Sequence, residues 1–197
     1  MKYIKILPFV LLALILTGCS NNEAPVSETG NKETSIKKNM IATIKTNKGD
    51  IKLELFSNDA PKTVDNFVKL SREGFYNGTR FHRVMEGFMI QGGDPLTKDL
   101  SQKNLWGTGG PEYVFEDEIH ENNHNKTGTI AMANRGTDTN GSQFFINTVD
   151  NNYLDSKHTV FGKVIEGMEI VLIIEKTATD ESDRPLEDII LESIIVE

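Results

Sequence analysis

The chain has 197 residues, 38% hydrophobic and 25% charged, with 21 Lys and Arg against 29 Asp and Glu and a formal net charge of −8. That length suits one domain around a single core, and the composition excludes a disordered chain and a multi-span membrane protein. The acidic balance argues against nucleic acid as a partner.

Lys2 and Lys5 precede an apolar run from Ile6 to Leu16, followed by Thr17, Gly18 and Cys19. The run is shorter than the about 20 apolar residues of a membrane span and has the layout of a secretory signal over residues 1–18. Leu16-Thr17-Gly18-Cys19 resembles a bacterial lipobox. That resemblance implies a lipidated Cys19 as the mature N-terminus, and an extracytoplasmic protein anchored to the bacterial cell membrane. Cys19 is the only cysteine, so no intrachain disulfide can form. Loss of residues 1–18 removes two lysines and leaves a formal charge of about −10. Such a body is not drawn to anionic lipid, which leaves the acyl anchor as the membrane attachment. Residues 19–39 are rich in Ser, Asn, Glu, Lys and Thr and read as a flexible tether.

From Met40 the texture changes, and residues 40–197 read as the folded domain. Ile41 to Thr46 and the alternating Ile51, Leu53 and Leu55 flank Asn47-Lys48-Gly49-Asp50, the pattern of a β-hairpin. Pro61 opens a stretch in which Val64, Phe67, Val68 and Ser71 recur at helical spacing before Gly74. Short strands are predicted at Arg80–Val84, Phe88–Gly92, Thr129–Asn134, Gln143–Asn147 and Thr159–Ile165. Residues 168–176 are apolar on almost every side and read as a buried helix, and Asp188–Val196 as a closing strand. Eight strands and two helices without regular alternation predict a mainly β protein built on a closed antiparallel barrel.

The chemistry concentrates in two stretches. In Phe81-His82-Arg83-Val84-Met85-Glu86-Gly87-Phe88-Met89-Ile90-Gln91-Gly92-Gly93-Asp94, period two puts Met89 and Gln91 on one face of a strand with Phe88 and Ile90 on the other, leaving Phe88 the loop edge as its route to the site. In Ala131 to Ile146, Gln143 and Phe145 share one face while Phe144 and Ile146 share the opposite one. One set fills a barrel, and the other mixes amide, aromatic, thioether and guanidinium groups suited to a shallow peptide site. Taken alone, Arg83 reads as a solvated arginine; the two stretches together change that reading.

These stretches closely resemble the cyclophilin family, with GTGG at Gly107–Gly110, FEDE at Phe115–Glu118 and YLDSKHTVFGKV at Tyr153–Val164. The resemblance covers about residues 40–197 and implies peptidyl-prolyl cis/trans isomerase activity on an eight-stranded antiparallel barrel capped by two α-helices. Carried over by motif, Arg83 is the catalytic arginine, and Phe88, Met89, Phe145, Leu154 and His158 line the proline pocket. Gln91, Asn134 and Gln143 bind peptide backbone or position Arg83, while Ala133 and Gly107 border the groove. The expected partners are proline-containing peptides and unfolded exported proteins, with no metal or organic cofactor and a monomeric state. Tyr153 stands where many members carry tryptophan, so cyclosporin binding is in doubt.

Arginine fits this role physically. Rotation about an amide faces a barrier of about 18–20 kcal/mol from C–N double-bond character. In the twisted state the proline nitrogen regains a lone pair, which a permanently charged, forked donor can satisfy only there. A competing reading, from another class, is a proline-peptide binding module or holdase with incidental catalysis. His120 and His124 have a metal-ligand spacing but sit among Asn residues of a loop, Ser142 lacks a nucleophile elbow, and Glu116, Asp117 and Glu118 read as solvated or structural acids.

Overall fold

The computed structural model describes residues 40–197. The predicted signal (1–18), Cys19 and the tether (19–39) lie outside the described residues. The predicted hairpin is formed by β1 (Met40–Thr46) and β2 (Gly49–Leu55), paired from Met40–Leu55 to Thr46–Gly49. Alternation buries Ile51, Leu53 and Leu55 while Lys52 and Glu54 stay partly exposed.

Helix α1 (Pro61–Arg72) turns Val64, Phe67, Val68 and Leu70 to the core. Ala60 supplies no side-chain cap, and the first-turn N–H groups find a distant one. Lys62 N and Thr63 N donate to the Glu118 carboxylate at 3.1 and 2.7 Å, joined by the Thr63 hydroxyl at 2.8 Å. A carboxylate there satisfies orphan donors and faces the positive end of the helix dipole. Phe67 sits at the centre of the core, its ring 5.5 Å from Tyr76, 5.7 Å from Phe144 and 5.3 Å from Phe161.

The remaining strands are β3 (Thr79–Arg80), β4 (Arg83–Met85), β5 (Met89–Gly92), β6 (Thr129–Met132), β7 (Phe144–Asn147), β8 (Val160–Glu166) and β9 (Ile190–Val196). They form one antiparallel sheet in the order β3-β9-β1-β2-β8-β6-β7-β5-β4. This corrects the expected closed eight-stranded barrel: the sheet is curled, has nine strands, and its ladder is open between β3 and β4. The single segment predicted at Arg80–Val84 is two strands because it changes partners midway. Phe81 N donates to Ile189 O just before β9, and His82 N donates to Gln91 O of β5, so one stretch of chain serves both ends of the sheet.

Helix α2 (Met168–Glu175) buries Val171, Ile174 and Glu175. The Glu175 carboxylate accepts from Gly87 N at 2.8 Å and so pins the turn between β4 and β5, where Gly87 takes a φ of +69°. Residues 95–105, between β5 and β6, form two short 3₁₀ helices, Pro95–Lys98 and Leu100–Leu105.

Phe67→Ala removes the ring on which three other aromatic side chains converge. It is expected to destabilise the domain by about 3–5 kcal/mol, measured as a lower urea midpoint at unchanged m-value.

Candidate active site

The two faces of β5 and β7 serve different clusters. Ile90, Phe144 and Ile146 enter the main core. Met89 and Phe145 point the other way, into a second cluster with Ala131, Leu154 and Val160, against which Phe56, Met85, Phe88 and Ala133 pack. Leu154 arrives on a 3₁₀ turn, Asn152–Leu154. Its anchor is buried Asn151, whose amide donates to Phe88 O at 2.9 Å and to Asn147 Oδ1 at 2.8 Å. His158 meets Phe145 edge-on at 5.4 Å while its Nδ1 lies 2.9 Å from Met132 O. Tyr153 is 63% exposed and stacks on Phe88 at 6.3 Å and 19°.

A polar line runs along the edge of this wall. Arg83 and Gln91 are cross-strand partners in the β4–β5 ladder. Arg83 Nη1 lies 3.5 Å from Gln91 Oε1, Nη2 lies 2.9 Å from the Met85 sulfur, and the guanidinium carbon is 6.0 Å from the Phe88 ring. Gln91 Nε2 donates to Gln143 Oε1 at 2.9 Å, and Gln143 Nε2 donates to Gly107 O and Gly109 O at 3.0 and 2.8 Å. Two carbonyl acceptors fix which end of the Gln143 amide is nitrogen, and the line then fixes Gln91.

The glycine loop is held from beneath by buried Asp94. Its carboxylate accepts from Leu96 N, Gly107 N and Gly109 N at 2.8, 2.5 and 3.1 Å. A side chain at Gly109 would strike the Asp94 carboxylate and Leu96, so glycine is required for this close approach. A cavity of about 180 Å³ opens beside the polar line, lined among others by Gln91, Gly107, Ala133, Asn134, Arg135 and Gln143. It does not include Arg83, Phe88, Met89 or Phe145, which belong to the neighbouring wall. The Asn134 amide nitrogen is committed to Lys157 O at 2.8 Å and Asp117 Oδ1 at 3.3 Å.

The structure therefore gathers Phe88, Met89, Phe145, Leu154 and His158 on one wall, with Tyr153 on its rim. It lines up Arg83, Gln91, Gln143 and Gly107 along the edge and places Ala133 and Asn134 at the hollow. Sequence reasoning missed Met85 and Asp183 as neighbours of Arg83. Met85 was available from period two, since it lies two residues along β4 from Arg83. Asp183, whose carboxylate is 3.6 Å from Arg83 Nε, carried no local signal.

The three acids of FEDE have structural tasks: Glu116 pairs with Lys62, Asp117 accepts from Asp138 N and Asn140 Nδ2, and Glu118 caps α1. His120 Nε2 contacts Val160 O at 3.0 Å and His124 Nδ1 contacts Asp155 at 3.2 Å. Among the described residues no cluster of three His, Cys, Asp or Glu is placed to hold a metal.

His82 is buried under the glycine loop, and neither ring nitrogen has a hydrogen-bond partner among the described residues. Burial pushes its pKa below the ordinary histidine value, against the opposing pull of Asp94. A folded pKa below the unfolded one means that stability is fully present above about pH 6.5 and is lost as the unfolded chain takes up the proton. The thermal midpoint should thus fall between about pH 7 and pH 5, and His82→Gln should flatten that fall.

The profile of the family described as "Cyclophilin type peptidyl-prolyl cis-trans isomerase/CLD" matches residues 41–196. Peptidyl-prolyl cis-trans isomerase CYP18-1 of Arabidopsis thaliana is 46% identical over 158 residues, covering 80% of this chain and 96% of that protein. CYP71 of the same plant is 46% identical over 173 residues, 87% of this chain, but the match spans only 26% of that longer protein. A crystal structure of a Cryptosporidium parvum cyclophilin type isomerase, determined in the presence of the dipeptide Ala-Pro, superposes with a TM-score of 0.73. The two share 37% identity, over 80% of this chain and 98% of that one. The chain belongs to the family of cyclophilin-type peptidyl-prolyl cis-trans isomerases.

Proposed function

We propose that this chain accelerates cis/trans rotation about X-Pro bonds in exported proteins, with Arg83 as the group that stabilises the twisted amide. The observation that carries the reading is a half-exposed guanidinium aligned with Gln91 at the edge of an apolar wall separate from the core. A proline ring seated on Met89, Phe145, Leu154 and His158 brings its nitrogen toward that guanidinium, and Phe88 closes the side. The Cryptosporidium relative's structure in the presence of Ala-Pro supports a proline peptide as the ligand.

In the planar ground state the proline nitrogen lone pair is delocalised and accepts no hydrogen bond. Rotation localises it, and Arg83 then donates. The bond exists only in the transition state, so it raises turnover rather than affinity. Exclusion of water by the wall strengthens it, because charge–dipole attraction grows as the local dielectric falls. Gln91, Gln143 and the main chain at Asn134 hold the peptide backbone while the amide turns. Isomerisation is slow enough to limit folding, so its acceleration is useful to newly exported chains.

Arg83→Ala should lower kcat/KM by about 10²–10³-fold, the typical cost of one transition-state donor. The check is a proline-limited refolding reaction with substoichiometric enzyme. Acceleration at such ratios separates an enzyme from a holdase, which needs near-equimolar amounts. Unchanged acceleration by the variant sinks the role of Arg83.

The location proposed is the outer side of the cell membrane, through lipid on Cys19. The support is the order of charged, apolar and small residues before that cysteine. The mass of the mature N-terminus should show a diacylated cysteine, and Cys19→Ala should release active protein from the membrane fraction.

A further inference from the structure

We propose that Asp183 is a positioning residue for Arg83, held in place by a turn whose conformation costs the chain backbone strain. The inference rests on the reading of Arg83 just given.

Asp183 has a φ of +60°, and Asp138 is the other non-glycine residue with positive φ among the described residues. Aspartate tolerates that region better than most residues but still at a cost, so the surrounding structure must hold it there. It does so at several points. Asp183 N donates to Asp180 O at 3.0 Å and Asp180 N donates to Arg184 O at 2.8 Å. The Asp180 carboxylate accepts from Ser182 N at 2.9 Å and from Arg184 N at 3.0 Å. The turn is docked on β4 by one main-chain bond, Val84 N to Asp183 O at 2.8 Å, one residue along from Arg83. The result places Asp183 Oδ2 3.6 Å from Arg83 Nε, with both side chains 41% exposed.

The guanidinium presents donors on three sides. Gln91 and Met85 lie against its two Nη groups, and Asp183 faces the Nε edge. At 3.6 Å the pair is an ion pair rather than a short hydrogen bond, and it acts on orientation: it fixes the Nε edge and so keeps the Nη fork beside Gln91 and Met85, from which it donates to the twisted amide. A side chain with several rotatable bonds otherwise spreads over rotamers, and few of them aim the fork at the proline nitrogen.

Asp183→Asn keeps the size and the tolerance of positive φ but not the charge, and Asp183→Gly keeps the φ alone. Both should lower kcat on a proline tetrapeptide by about two- to fivefold with KM near the wild-type value, the range of a half-exposed ion pair. High salt should bring the wild-type enzyme toward the variants. In an Arg83→Lys background, where no fork remains to be aimed, Asp183→Asn should have no further effect. If Arg83→Ala keeps wild-type kcat, the reading of Arg83 has failed. If Arg83→Ala loses activity while both Asp183 variants keep wild-type kcat, the positioning role is overturned and the reading of Arg83 stands.

Discussion

Strands β5 and β7 carry apolar side chains on both faces, and a strand can serve two clusters only if each face finds its own cover. Phe144 and Ile146 turn inward to meet Phe67, Tyr76 and Phe161 beneath α1. Phe145 and Met89 turn outward into a smaller cluster, where Leu154, His158 and Phe88 pack around them and the exposed Tyr153 forms the rim. Because side chains alternate strictly, anything that fixes the inner face also fixes the outer one. The main core thus sets the shape of the peptide wall, and its stability is the reason the wall is already formed before a ligand arrives.

The polar edge follows from the same register. Arg83 opposes Gln91 across β4–β5, and Gln91 opposes Phe145 across β5–β7, so guanidinium, amide and ring stand side by side without any adjustment. Beyond them the order is electrostatic. Asp94, buried beneath the glycine loop, gathers three N–H groups and leaves the carbonyls of Gly107 and Gly109 for Gln143. Each amide in the line has one allowed orientation, which is the preorganisation that the proposed transition-state hydrogen bond requires.

Much of this was legible in the sequence because it depends on local period. Residues 168–176, apolar on almost every side, have no period that separates helix from strand, whereas the hairpin, α1 and the runs around Arg83 and Gln143 follow from spacing of two or 3.6 residues. The strand count did not, because the switch at Phe81-His82 is made by bonds to Ile189 and Gln91 that no local pattern encodes. The same is true of Glu118, which caps α1 from more than fifty residues away, and of Asp183, which reaches Arg83 from a polar turn near the end of the chain. The family resemblance supplied roles for residues whose own environment was silent; chemistry brought in by tertiary contact stayed hidden.

Everything proposed for Arg83 turns on its binding the twisted amide and not the planar one. Exchange NMR of an Ala-Pro peptide with wild-type protein and with Arg83→Ala separates the two quantities, since it reports affinity and on-enzyme isomerisation together. In the variant the expected result is a Kd near the wild-type value and on-enzyme exchange slowed by about 10²-fold or more. A variant that binds far more weakly yet isomerises its bound peptide at the wild-type rate would contradict it.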